Sequence, residues 1–154
     1  MCIKEDALNL PLLYVSEYFN NDRETYTNAL FDVSAKGDLN KWISYFLTAV
    51  ATQARQSIEL LEALEAHKKF LREKGRLLTN TTKIETLIEM LFENPFITIV
   101  DLQARLGDKH AVNASRLVNT LENEGMLKEI TGKKSHKIFV DHKIMNIIDR
   151  ATNI

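Results

Sequence analysis

Apolar residues recur three and four positions apart through most of this chain, the spacing of one helical face, so the pattern predicts a mainly α protein. Pro11 suits the first turn of a helix running toward Phe19. Asp22 can cap a second helix containing Tyr26, Leu30 and Val33, and Gly37 is a natural stop. Asp38 opens the longest predicted helix, which runs to about Glu73. On it Ile43, Leu47, Val50, Ala54, Ile58 and Leu61 form one stripe, with Trp42, Tyr45, Phe46 and Ala49 beside it. A helix apolar on two sides suits the centre of a bundle, or one that packs against more protein than this chain supplies. The apolar residues Leu8, Leu10, Leu12 and Leu13 favour the second reading.

The polar run at 79–82 has the composition of a short linker. Beyond it Thr82 and Glu85 form a capping box ahead of Ile84, Leu87, Ile88 and Leu91, and Pro95 ends that helix. Phe96 and Ile97 form a short extended piece. Thr98 and Asp101 make a second capping pair for a helix with Leu102 and Leu106, stopped by Gly107. A third helix is predicted over 109–124, with Ala114, Leu117, Val118 and Leu121 facing inward and Gly125 as its stop. A strand at 126–131, a turn at 132–135 and a strand at 137–140 follow. Three helices and a basic-tipped hairpin are the order of a winged helix-turn-helix, expected between 83 and 141. The expected architecture is therefore a helical bundle segment over 1–78, a linker over 79–82, and a winged helix-turn-helix domain with a small β-hairpin wing over 83–154.

Composition narrows the setting. With 45% hydrophobic and 27% charged residues the chain has an ordinary globular composition, which argues against a disordered chain. Its apolar runs, such as 42–51, fall short of the roughly 18 residues a spanning helix needs, so no membrane partner is expected. Lys4, Glu5 and Asp6 stand where a leader's apolar region would begin, which points to the cytoplasm. Cys2 is the sole cysteine and reads as an inert thiol. His67, His110, His136 and His142 lack the paired spacing of a helical metal site and read as surface or loop residues, so neither metal nor cofactor is expected. A net charge of −1 counts against a strongly basic nucleic-acid binder. The charge is uneven, however: Lys128, Lys133, Lys134 and Lys137 cluster near one predicted turn, while Glu59, Glu62 and Glu65 lie on the long helix.

In a helix-turn-helix the second helix of the pair enters the major groove, where base edges present distinguishable donors and acceptors. On the predicted helix the outward positions are Lys109, His110, Asn113, Arg116 and Asn119, with Ser115 near the edge. Asparagine pairs with adenine and arginine with guanine. Lys133, Lys134 and Lys137 on the wing suit phosphates. Against this, Glu122 and Glu124 place negative charge near the end of the helix, and winged helices also serve as protein-interaction modules. Double-stranded DNA is the expected partner, with a homodimer or a helical protein partner as the alternative.

The residues Pro11-Leu12-Leu13-Tyr14-Val15-Ser16-Glu17-Tyr18-Phe19, then Arg23 and Tyr26, then Trp42-Ile43-Ser44-Tyr45-Phe46-Leu47, resemble the stretch that follows the active site in Fic-family proteins. The run from Asn113-Ala114-Ser115-Arg116 through Leu121-Glu122 to Gly125 and Glu129-Ile130-Thr131-Gly132 resembles the winged helix that many of these proteins carry at their C-terminus. The resemblance implies a family that transfers AMP from ATP to a hydroxyl side chain of a target protein through an HxFx(D/E)GNGRxxR motif. That motif is absent from this sequence, and the resemblance would put it just upstream of Met1. The nearest internal imitation, His67-Lys68-Lys69-Phe70 with Gly75-Arg76, has its phenylalanine one place too far along and no asparagine. Thr120-Leu121-Glu122-Asn123-Glu124-Gly125 matches the short (S/T)xxxE(G/N) pattern of the family's autoinhibitory helix, but it reads as the end of a recognition helix, where leucine packs inward and glycine terminates the helix. The expected function is thus a non-catalytic C-terminal part of a Fic-family protein whose winged helix is a DNA-binding or regulatory module. A protein-interaction or dimerisation module is the alternative. A fragment of an AMP-transferring enzyme that needs its missing catalytic part is the third reading.

Overall fold

The computed structural model describes residues 15–37 and 39–152, so the expectations for Cys2, Pro11, the leucines at 8–13 and Asp38 lie outside the described residues. The chain divides into two compact units, Met1–Leu61 and Glu62–Ile154.

In the first unit, α1 (Val15–Asn21) and α2 (Arg23–Lys36) precede the opening of α3 (Leu39–Leu78). Asp22 caps α2 by accepting the Thr25 N–H at 3.1 Å, and these bonds to Thr25 hold its carboxyl below the ordinary value. Gly37 takes the left-handed conformation (φ +69°) that closes the helix, a backbone state open to glycine at little steric cost. Asp32 then receives both Lys36 and Lys41, and those two ammonium groups pull its pKa down to about 2.

The core of this unit is aromatic. Phe19 lies 4.9 Å from Tyr26, 5.7 Å from Tyr45 and 6.1 Å from Trp42 between ring centroids, within the range where offset and edge contacts add to area burial. Of the two stripes on α3, the one containing Trp42, Tyr45 and Ala49 does most of the packing, although its Phe46 is exposed. On the other stripe Ile43, Leu47, Ile58 and Leu61 remain exposed, Leu47 by 58%.

The second unit begins inside α3 at Glu62 rather than after the linker. It continues through α4 (Lys83–Glu93), β1 (Phe96–Thr98), α5 (Ile99–Leu106), α6 (Val112–Asn123), β2 (Lys128–Glu129), β3 (Ile138–Val140) and α7 (His142–Thr152). The strands form an antiparallel sheet in the order β1-β3-β2, with Ile97 opposite Phe139 and Lys128 opposite Val140. This is the expected winged helix-turn-helix order. The predicted strand at 126–131 shortens to β2, because the Met126 and Leu127 N–H groups bond back to the Leu121 carbonyl at the end of α6 and the Thr131 N–H bonds to the Glu129 carboxylate, while the Ile130 N–H still bonds to the Ile138 carbonyl in register with the ladder. Ile84, Leu87, Ile88 and Leu91 of α4, Leu102 of α5 and Leu117, Val118 and Leu121 of α6 close over Phe139 in one core.

Leu71 belongs to that core as well, and α3 runs on to Leu78 instead of stopping near Glu73. Gly75 explains how α3 meets α4. A Cβ there would stand 2.7 Å from Cγ1 of buried Ile84, so only glycine admits this approach. Around the contact, Arg76 Nε bonds to Glu85 at 2.8 Å, Lys68 to Glu89 at 2.7 Å, and Arg72 also to Glu89. Glu85 is therefore drawn to α3, and the capping box expected from Thr82 and Glu85 does not form: the Thr82 side chain makes no cap bond. The box of Thr98 and Asp101 does form at α5, with both reciprocal bonds present.

One histidine departs from its expected surface position. His67 is buried on α3, where its Nε2 donates to Asp141 Oδ2 at 2.7 Å. The second oxygen of Asp141 accepts the N–H groups of Lys143 at 2.8 Å and Ile144 at 3.1 Å, capping α7, a helix the sequence reading did not anticipate. Among the described residues no helix is long and apolar enough to cross a membrane.

The Gly75 contact has a decisive sign. In an open helix Gly75→Ala would stabilise by about 1 kcal/mol through helix propensity. Against Ile84 it is expected to destabilise by about 1 to 3 kcal/mol through overpacking. Urea unfolding of the variant measures this, and a gain in stability would refute the close approach.

Candidate nucleic-acid interface

The helix-turn-helix consists of α5, a turn and α6. Gly107 ends α5 in the left-handed conformation, and the Gln103 side chain donates to the Asp108 carbonyl at 3.2 Å. The chain needs residues 108–111 to reverse, so α6 starts at Val112 rather than Lys109 and ends at Asn123 rather than Glu124. Lys109 and His110 consequently lie in the turn, both exposed, and enter the site from ahead of the helix.

At about 100° per residue, the buried positions Ala114, Leu117, Val118 and Leu121 set the opposite face of α6 at Val112, Arg116, Asn119 and Asn123. All four are exposed, Val112 by 72%. Arg116 and Asn119 are thus where the sequence reading put them. Asn113 and Ser115 lie on the flanks: Ser115 is half-buried, and Asn113 Nδ2 donates to Asp108 Oδ2 at 3.1 Å. Val112 and Asn123 were missed, although counting three and four residues from Arg116 and Asn119 reaches both.

Asp108 is a local anion beside this face. Its other oxygen receives Lys83, and the bonds from Lys83 and then Asn113 hold its carboxyl below the ordinary value. Lys83 thereby compensates a charge that would otherwise oppose an approaching phosphate. Arg105 of α5 is engaged with Glu93 at 2.6 Å.

The wing loop spans 131–137, and Lys133, Lys134 and Lys137 are all exposed on it. Glu129 anchors its start. One carboxylate oxygen accepts the Thr131 N–H at 2.6 Å, the Thr131 hydroxyl and the Gly132 N–H at 3.0 Å. His136, at φ +55°, occupies a left-handed state that histidine tolerates better than branched residues do. Lys134 and Lys137 also line a shallow cleft with Thr98 and Val100 at the start of α5. Lys128, grouped with these lysines by sequence, stands apart from them on β2.

Among the described residues no three His, Cys, Asp or Glu side chains are grouped to hold a metal ion. No protein-family model matches the chain.

Glu129 makes the wing loop acid-sensitive. The Thr131 hydroxyl bond, foremost among its contacts, keeps its carboxyl below the ordinary 4.5. A carboxylate lowered by folding contributes stability above its unfolded pKa and loses it as pH falls through the folded one. Amide exchange at Thr131 and Gly132 is therefore expected to accelerate relative to the β3 amides once pH drops below 4.5. Equal protection of those two amides on both sides of that value would remove Glu129 as the anchor.

Proposed function

We propose that this chain is a non-catalytic C-terminal part of a Fic-family protein and that its winged helix is a DNA-binding or regulatory module. The observation that carries the DNA reading is the exposed face of α6, with Arg116 and Asn119 at its centre and Lys109 and His110 ahead of it. Arginine pairs with two acceptors of guanine, asparagine pairs with adenine, and an apolar group such as Val112 suits the thymine methyl. Lys133, Lys134 and Lys137 supply phosphate contacts, which add affinity without sequence information. Glu122 and Glu124 repel phosphates at the far end of α6, so docking leads with its N-terminal half, as in other helix-turn-helix proteins. The Fic-family part rests on the resemblance of the segments at 11–19, 42–47 and 113–132. Catalysis of AMP transfer is assigned to the motif this sequence lacks.

Two classes of substitution separate the contacts. Replacing Lys133, Lys134 and Lys137 with alanine is expected to weaken binding to all duplexes alike and lower the salt dependence by roughly one unit of slope per lost contact. Arg116→Ala is expected to cost about 1 to 3 kcal/mol on a preferred site and much less on random DNA. Asn113→Ala tests whether that residue leaves Asp108 to reach a base. Fluorescence anisotropy across salt concentrations, after selection from a random duplex pool, reads all three. No binding by the wild-type chain even at low salt would end the DNA reading.

A second reading is favoured by the exposed stripe on α3. Ile43, Leu47, Ile58 and Leu61 give a helical face with the character of an interaction surface, and Phe31 on α2 is exposed as well, by 65%. On this reading the chain is a dimerisation or helical docking module. Sedimentation at several concentrations is expected to show self-association that Leu47→Gln with Ile58→Gln abolishes. A protein that stays monomeric throughout would refute association through this face.

A further inference from the structure

A cleft of about 580 Å³ opens in the second unit, lined by His67, Phe70 and Lys74 of α3, the turn after α6, Lys128 of β2, and the first residues of α7. Its size is ordinary for a small-ligand site. The wing and α6 readings make no use of it.

We propose that this cleft binds a small organic phosphate, with the His67 imidazole donating to a phosphate oxygen and lysines neutralising its charge. The buried histidine is the starting point. His67 has 5% of its side chain exposed, its Nε2 is committed to Asp141, and its Nδ1 has no hydrogen-bond partner. A buried polar atom without a partner costs free energy, which a ligand atom on that nitrogen recovers. Nδ1 accepts in the neutral ring and donates in the imidazolium. A phosphate oxygen meets this nitrogen as an acceptor, while Nε2 is held by Asp141.

The charged groups around the ring decide the sign of the ligand. Lys74 faces the cleft from α3, Lys128 from β2, and His142 and Lys143 from α7, while Glu124 is the acidic residue on the rim. Asp141 is already occupied by His67 and by the α7 amides. Three lysines therefore stand against Glu124. Lysines are point charges with rotatable donors and suit a tetrahedral, multiply charged group.

An apolar wall holds the organic part. Phe70 stacks on His67 with ring centroids 6.1 Å apart, and Met126, Leu127 and Val140 add apolar lining to the cleft. The Lys143 ammonium stands 5.4 Å from the Phe70 ring centre, which brings one cation to the boundary between the wall and the charged rim.

The test is a nuclear magnetic resonance titration of the full chain with phenyl phosphate, alongside inorganic phosphate and benzyl alcohol. Phenyl phosphate is expected to shift the Gly125, Met126, Leu127 and Lys143 amides saturably and to move the His67 Nδ1 resonance to its protonated position. Lys74→Gln with Lys128→Gln, both at exposed positions, is expected to weaken binding by about tenfold or more. Lys69→Gln, on α3 outside the cleft, is expected to leave it unchanged. No saturable response, or equal weakening by Lys69→Gln, would overturn the site. An unmoved His67 Nδ1 would overturn the role of the histidine. Equal binding of inorganic phosphate would overturn the organic ligand.

Discussion

The second unit depends on one buried contact, between His67 on α3 and Asp141 at the end of β3. A carboxylate 1% exposed is tolerated only when its lone pairs are met. Here the imidazole takes one oxygen and two amides of α7 take the other, while the Asp141 N–H reaches the Pro95 carbonyl at 3.3 Å. Seventy-four positions of sequence separate the two side chains. A single residue thus joins α3, the end of the sheet and the start of the last helix. Losing it would remove a helix cap, worth about 1 kcal/mol, and leave a buried N–H donor that costs about 1 to 3 kcal/mol more.

This contact accounts for where the compact unit begins. Leu71 and Gly75 lie one and two turns beyond His67 on the same side of α3, Leu71 in the core and Gly75 against Ile84. The absence of a side chain at Gly75 lets α4 lie close, and the bonds from Lys68, Arg72 and Arg76 to Glu85 and Glu89 flank the apolar contact. The winged domain therefore has the end of α3 as part of its structure. The polar run at 79–82 is a turn between two packed helices, and a change of composition there marks a loop without marking the edge of the unit.

What the sequence made legible follows the range of the forces involved. The three helices between 83 and 123, apart from the ends of α6, the Thr98 and Asp101 box, the stops at Gly37 and Gly107 and the β3 strand are set by local spacing and capping, and they stand as read. The inward face of α6 at Ala114, Leu117, Val118 and Leu121 was legible for the same reason. Glu85 was misread because a distant arginine outcompetes a local cap. The start of α6 was misread because Lys109 and His110 fit the helical spacing while the turn needs them. His67 was misread because its partner lies far along the chain. The signal for α7 was present, since Asp141 precedes Ile144 and Ile148 at cap and core spacing.

The disposition of charge resolves an apparent conflict between a net charge of −1 and two lysine-lined surfaces. The ion pairs described above draw on Lys36, Lys41, Lys68, Arg72, Arg76, Lys83 and Arg105, none of them in α6 or the wing loop. The carboxylates they meet, with Glu129 held by hydroxyl and backbone donors, are the ones whose negative charge is compensated locally. Strand register then divides the remaining lysines. Lys128 pairs with Val140 on the ladder and turns toward the His67 cleft, whereas Lys133, Lys134 and Lys137 fall in the loop beyond it. Potential at a surface is governed by the nearest uncompensated charges, because solvent and salt screen the rest within about 10 Å. A near-neutral chain can therefore present one cationic surface on its wing and another in its cleft, and total charge says little about either.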